Sequence, residues 1–524
     1  MRELPSFLEE RKRLERSVFT ASIRMGLNLV GQDAKTARIP ARAVEKALLI
    51  LRENLTALED SWSDSASDSV KAFLANMSSV NSGDSLPAYM ADKIVKRLAA
   101  DLRPSRFIDV FREVAHDTIY WKMVEGRFCK FGNDYARGLE ILRHLGFSQV
   151  STNPVLAAKA FDEDPGLVER LQEEIGRNST WRQNPLEHGH DMAMAGTLLA
   201  LWPNLEVFRP LAYLAENRDY MISFQLNPNV ADDAKVSLED ARRAYKLARR
   251  HLARYDRYLG LPNPGRLRPN IVFKVAGSSE AARQVTRELN ASGIGTNNTV
   301  TFSVAQELRL IIDALEGKCR AIKSGKPVTR TYETNMGGRF VSHLREEEAQ
   351  RIFLEIASRK GEDEATRLLT RLAGGLNLPE RDVERFQTAR GIAEKAEIIC
   401  AFKNLKSLTH QAFLEAASEG GLSRAEVEQL EDDLKKAGTL VARRVYWVFY
   451  ERKNHIRWVA CSRKRTGCDE GMRLSRSTQW MCFPLRNVSP RTLVILWALQ
   501  TCATRSFRTT PVQFNSSPRG QALT

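Results

Sequence analysis

Two rhythms of apolar and polar residues divide the chain. Up to about residue 124, apolar positions recur at helical spacing, as in Val44-Glu-Lys-Ala-Leu-Leu-Ile-Leu51 and Ile94-Val-Lys-Arg-Leu-Ala-Ala-Asp-Leu102. Between these lies a stretch rich in Ser, Asp and Asn from Ser61 to Ser85, with loop character near Asn81-Ser-Gly-Asp-Ser85. From about residue 127, short apolar runs alternate with charged amphipathic stretches. The runs read as strands at Phe128–Phe131, Ser148–Ser151, Tyr220–Leu226, Ile271–Val275 and Gly295–Phe302, with later candidates at Val328–Tyr332 and Glu397–Phe402. Helices are expected at Tyr135–Leu145, Pro165–Ile175, Leu238–Leu259, Ser279–Ala291, Val304–Leu315 and Glu346–Arg359.

Repeated β–α units predict an α/β fold with a parallel sheet, either doubly wound or closed into a barrel. No GxGxxG or GxxxxGK[ST] follows any of these strands, so the TIM (β/α)8 barrel is preferred. Two charged helices, about Thr409–Ser418 and Ser423–Ala437, come after the seventh run. Val441–Tyr450 is then the candidate for an atypical eighth strand. The expected plan is an all-helical region over 1–124, the barrel over 125–440, and a divergent basic tail over 441–524 that reads as poorly ordered.

Composition changes this picture little. The 524 residues allow two or three domains, and 43% hydrophobic content with mean hydropathy −0.36 is that of a globular chain. No apolar run reaches membrane-spanning length, and the N-terminus opens onto a charged helix instead of an apolar signal core. Seven scattered cysteines fit a reducing cytoplasm better than a disulfide framework. The net charge is +15, but residues 471–524 hold seven Arg and no Asp or Glu. The basic excess elsewhere suits a phosphate-bearing substrate. It is not interleaved with aromatics as on nucleic-acid platforms, so neither nucleic acid nor a membrane is an expected partner.

The chemistry concentrates where strands end. Lys274 lies within Asn270-Ile-Val-Phe-Lys-Val-Ala-Gly-Ser278, an apolar run of a kind that parallel sheets bury. A buried ammonium is costly unless paired or deprotonated, and a deprotonated lysine is a nucleophilic amine able to form a Schiff base. A lysine snorkelling from a strand end is the plain alternative. Other strands deliver polar residues at the same end, where barrels carry their chemistry. Asp134 follows the first and Ser151-Thr-Asn-Pro154 the second. Gln225 and Asn227 end the third, and Asn297 and Thr299 lie in the fifth. Thr334-Asn-Met-Gly-Gly-Arg339 follows the sixth and Lys403-Asn404 the seventh. His188-Gly-His190-Asp191 and the set His455, Cys461 and Cys468 read as polar segments, not metal sites.

Taken together, Ser151-Thr-Asn-Pro-Val-Leu156, Val272-Phe-Lys-Val-Ala-Gly-Ser278 and Gly293-Ile-Gly-Thr-Asn-Asn-Thr-Val-Thr-Phe-Ser-Val-Ala-Gln306 resemble the transaldolase family, in order and approximate spacing over roughly residues 127–405. The resemblance implies a metal-free, cofactor-free barrel enzyme. Lys274 would form the Schiff base and Asp134 would be the acid/base. Asn153 and Asn297 would hold donor hydroxyls, and Thr299 would position the catalytic water. Arg339 would bind phosphate, with Thr334 near it and Lys403 standing where a second phosphate-binding arginine is expected.

Two departures keep alternatives open. The family usually carries Glu where this chain has Gln225, and Gln can orient a water but cannot take its proton. The related fructose-6-phosphate aldolases have Gln there, yet also a Tyr where this chain has Met336. The first expectation is a transaldolase moving a dihydroxyacetone unit between sugar phosphates in the non-oxidative pentose phosphate pathway. Fructose 6-phosphate or sedoheptulose 7-phosphate would be donors, and erythrose 4-phosphate or glyceraldehyde 3-phosphate acceptors. A simple aldolase using the same lysine is the second. A non-catalytic barrel binding a sugar phosphate or a partner is the third. Phosphorylated sugars are the expected partners, in the cytoplasm, and homo-oligomerisation is left open.

Overall fold

The structure is a computed structural model and describes residues 4–261 and 268–468. It is a helix-rich α/β fold with parallel strands, in keeping with the barrel expectation, but among the described residues there are six strands and not eight. The chain divides into two compact units.

The first unit joins the N-terminal helices, up to Gly126, to Lys130–Leu214. Long helices at Leu4–Val30, Ala41–Ser61, Ser63–Ser79, Leu86–Leu98 and Pro104–Asp117 bury Phe19, Ile23, Val70, Met90, Ile94, Phe107 and Phe111. The Ser/Asp-rich stretch is therefore mostly helix. Its loop character is confined to Asn81 and Ser82, both with positive φ. Two short parallel strands follow, β1 (Phe131–Asn133) and β2 (Phe147–Ser151), with Gly132 opposite Gln149 and Asn133 opposite Val150. The first strand thus lies slightly later than Phe128–Phe131. The Gly189–Leu214 helix contains Pro203 and Pro210, residues that in sequence argue against a helix.

The second unit, from Ala215, carries four parallel strands. These are β3 (Met221–Gln225), β4 (Ile271–Ala276), β5 (Thr296–Thr301) and β6 (Tyr332–Asn335). Each pairs with the next: Phe224 lies opposite Phe273, Phe273 opposite Thr296, and Asn298 opposite Glu333. The sixth strand also starts later than Val328–Tyr332. The preceding segment is held instead by side chains: Thr329 donates to the Gly293 carbonyl at 2.7 Å, and Arg268 donates to the Val328 carbonyl at 3.3 Å. Gly295 is required where the chain enters β5, because a Cβ there would overlap the Arg330 carbonyl.

Two expected strands are helices. Glu397–Phe402 belongs to the Ile392–Cys400 helix, whose buried Ile392, Ala396, Ile399 and Cys400 recur at helical spacing. Val441–Tyr450 is the end of the Arg424–Val445 helix and a single π-type turn at Tyr446–Tyr450. Val445 and Phe449 pack there on Ile311 and Leu315. The Gly337–Lys360 helix and those that follow it build a core of their own around Phe353, Leu368, Leu369, Ile399 and Phe413. Part of the expected poorly ordered tail is also ordered, since Arg452–Thr466 is a helix capped by Glu451. The remainder of that tail lies outside the described residues. Among the described residues, no helix is long and apolar enough to cross a membrane.

Candidate active site

Strand register brings the expected residues of the second unit together. Gln225 on β3 pairs with Lys274 on β4, and Lys274 pairs with Asn297 on β5, which lies opposite Tyr332 on β6. In a pleated sheet, partners directly opposite share a face, and so do residues two apart. One face of these strands therefore carries Ser223, Gln225, Lys274, Asn297, Thr299, Tyr332 and Thr334. The other carries Ile222, Phe224, Ile271, Phe273 and Val275, four of them at most 4% exposed. On β3 and β4 a polar face is set against an apolar one, while on β5 and β6 the opposite face carries Thr296, Asn298 and Glu333.

Lys274 is 8% exposed, so its side chain is largely removed from water. The Asn297 amide is tied at both ends. Its Nδ2 donates to Ser223 Oγ at 3.1 Å, and its Oδ1 accepts from Thr334 Oγ1 at 2.7 Å. Asn297 thus links β3, β5 and β6 beside the lysine, with its side chain held in one orientation. Ser223 is a member of this network that the residue pattern alone did not single out. Its two-residue offset from Gln225 is the signal that marks it.

Thr299 lies opposite Ala276 and is 3% exposed. Just beyond it the strand bulges. Register shifts between Asn298 and Thr301, and Val300 has φ 57°. A β-branched residue in the left-handed region is strained, and it persists only where its surroundings impose it. The bulge turns Thr301 towards the helix side of the sheet, leaving Thr299 on the polar face.

Arg339 sits exposed in the first turn of the Gly337–Lys360 helix, after Gly337 and Gly338. Among the described residues its side chain has no ion pair. A helix N-terminus with a guanidinium is a fitting anion site. Gly337 is packed against the Arg424–Val445 helix so closely that a Cβ on Gly438 would lie 2.5 Å from the Gly337 Cα.

Within the second unit, one expected residue stands apart from this group. Lys403 follows a helix, not a strand, and its ammonium donates to Asp382 at 2.6 Å within the C-terminal helical core. Its placement beside a phosphate is corrected accordingly. Asp134 and Asn153 belong to the first unit. Asp134 lies in the turn after β1 that Asn133 stabilises by donating to the Tyr135 and Arg137 carbonyls at 2.7 and 2.9 Å. Asn153 caps the Pro154–Glu163 helix, accepting from the Leu156 amide at 2.9 Å.

The strands that carry this face lie within the segment that matches a known family. Residues 114–356 match the model of the transaldolase/fructose-6-phosphate aldolase family. That segment is similar to the family, and it covers somewhat less than half of the chain. No curated protein matches the chain. The family is one of enzymes, and the match supports a class I aldolase-type function.

Proposed function

We propose that this protein is a transaldolase that transfers a dihydroxyacetone unit from a ketose phosphate to an aldose phosphate through a Schiff base on Lys274. The observation that carries the reading is the burial of Lys274 between Gln225 and Asn297 in strand register. Its neutral amine adds to the ketose carbonyl and water leaves, giving an iminium. The iminium takes up the electrons of the neighbouring C–C bond as it breaks, while Asp134 receives the hydroxyl proton of the departing aldehyde. The enamine left on the lysine then adds to the acceptor aldehyde, and water releases the product. Gln225 and Thr299 orient that water, and Asn297, with Asn153, holds donor hydroxyls. Arg339 and the helix N-terminus behind it bind the phosphate, with Thr334 fixing Asn297. Sugar phosphates of the non-oxidative pentose phosphate pathway, in the cytoplasm, are the proposed substrates.

Gln225 beside Lys274 also favours a second reading, a simple aldolase, because the related fructose-6-phosphate aldolases resemble this chain in carrying Gln there, although Met336 stands where they carry Tyr. Incubation with fructose 6-phosphate, borohydride reduction and mass spectrometry test the shared step. A covalent dihydroxyacetone adduct is expected on Lys274 and absent from Lys274→Ala, whose turnover should fall by roughly a thousandfold or more. No adduct on folded wild-type protein refutes both readings. Product analysis with and without an acceptor aldehyde separates transfer from cleavage.

A further inference from the structure

On the helix side of β5 and β6 lies a second polar cluster, which the proposed reaction does not use. Gln306 and Glu307, in the first turn of the Val304–Lys323 helix, reach back to the bulge at Val300. The Gln306 amide donates to the Gly277 carbonyl at 2.8 Å and to the Val300 carbonyl at 3.0 Å, and accepts from the Phe302 amide at 2.9 Å. It therefore clasps the end of β4 and both sides of the bulge. Glu307 is fully buried. Its Oε1 meets Thr301 Oγ1 at 3.2 Å and accepts from the Asn335 amide, spanning β5 and β6 just beyond the bulge.

We propose that Gln306 and Glu307 are positioning residues that hold the strained β5 bulge, and through it Thr299 and the Asn297–Thr334 pair, in place for reaction at Lys274. This rests on the proposed function for its catalytic consequence, but the bracing is a property of the fold. Val300 cannot keep φ 57° without external restraint, and these two side chains supply it.

The bonding implies that Glu307 acts as a neutral acid. Thr301 Oγ1 lies 2.9 Å from the Thr334 carbonyl as well as 3.2 Å from Glu307. A hydroxyl has one proton to donate. It serves either the Thr334 carbonyl or Glu307 at any moment, so an ionised Glu307, whose Oε2 is buried without a hydrogen-bond partner, would be under-bonded. The surroundings agree. Glu333 faces Glu307 from β6, receiving a bond from Asn298 Nδ2 at 3.0 Å. Buried Lys318, on the same helix as Glu307, is the cation facing Glu333, and His455 of the Arg452–Thr466 helix lies near that lysine. Burial pushes the Glu307 carboxyl up to about 7, and burial together with Glu307 pushes Glu333 well above the usual range.

The test uses the full chain, wild type and Glu307→Gln, which keeps the acceptor but fixes it neutral. Hydrogen exchange of peptides covering residues 296–302, corrected for intrinsic rates, reads the brace. Protection in the wild type should fall between pH 6 and pH 8 and stay constant in the variant. Trapping of the dihydroxyacetone adduct from fructose 6-phosphate by cyanoborohydride reads the reaction. The variant-to-wild-type ratio should be near one at pH 6 and roughly tenfold at pH 8, where only about a tenth of Glu307 keeps its proton. Gln306→Ala should lose protection and adduct at both values. Exchange that is the same in both proteins at both pH values overturns the inference, whatever the trapping shows. Wild-type exchange as expected but no adduct at any pH overturns the functional reading instead, and with it the role in reaction. A constant adduct ratio with the expected exchange confines Glu307 to stability and overturns the positioning role.

Discussion

Glu307→Gln removes one titrating group from an enclosed site while preserving its shape, so its effect on stability can be worked out from the structure. In the unfolded chain the carboxyl titrates near 4.5, and in the folded protein burial holds it at about 7. Between these values the folded protein keeps a proton that the unfolded chain has released. Stability contributed by this group is therefore greatest below about pH 4.5, falls as pH rises to about 7, and is level above that. At about 1.4 kcal/mol per pH unit, that interval is worth roughly 3 kcal/mol. The glutamine variant lacks this loss. Thermal unfolding from pH 5 to pH 8.5 should show the variant gaining on wild type by up to roughly 6–12 °C, nearly all of it below about pH 7.5. The Glu307 charge is one of the causes that raise Glu333, so the substitution also eases Glu333 and the difference between the curves reads the coupled pair. Curves that stay parallel across this range would refute the claim that the buried carboxyl is protonated in the folded state.

Further substitutions probe other parts of the molecule. Gly438→Ala places a Cβ against Gly337, which should cost about 1–3 kcal/mol by overpacking and raise KM for phosphorylated donors, read from unfolding curves and steady-state kinetics. Arg339→Ala should raise KM for a phosphorylated donor at least tenfold with little change in melting temperature. Lys403→Ala should leave KM unchanged and cost no more than about 1 kcal/mol, because its partner Asp382 sits in the helical core and the lysine itself is exposed. The opposite pattern for these two would restore Lys403 to the phosphate site. Phe353→Ala, at a fully buried position packed edge-on against Phe413, should cost about 3–5 kcal/mol if the C-terminal helices share one core, measured by denaturant titration.

The strands that carry the chemistry are legible in the sequence for a physical reason. β3 and β4 are short, mainly apolar runs into which Ser223, Gln225 and Lys274 are set, and β5 is a β-branched and amide run entered from Gly295. The alternation of such runs survives in any context, because a strand's side chains alternate whatever it pairs with. Strand ends and alternation are enough to group Lys274 with Gln225, Asn297 and Thr299, and the register sets them on one face. The later strands are misread because a short apolar run has no period of its own. Glu397–Phe402 looks like a strand until Ile392 and Ala396, upstream of it, supply the helical repeat. Val441–Tyr450 needs Ile311 and Leu315, more than a hundred residues earlier, to make its helical face a buried one.

The sequence by itself therefore determined the buried Lys274, its amide neighbours and the parallel strands that present them, since all of these follow from local composition and alternation. Only the tertiary structure decided that the strands stop at six among the described residues, and that Lys403 answers to Asp382. It also decided that Val300 is strained, and that Gln306 and Glu307 reach behind the sheet to hold it. Those outcomes depend on which groups burial brings together, and burial is settled between segments distant in the chain, where no local pattern can record it.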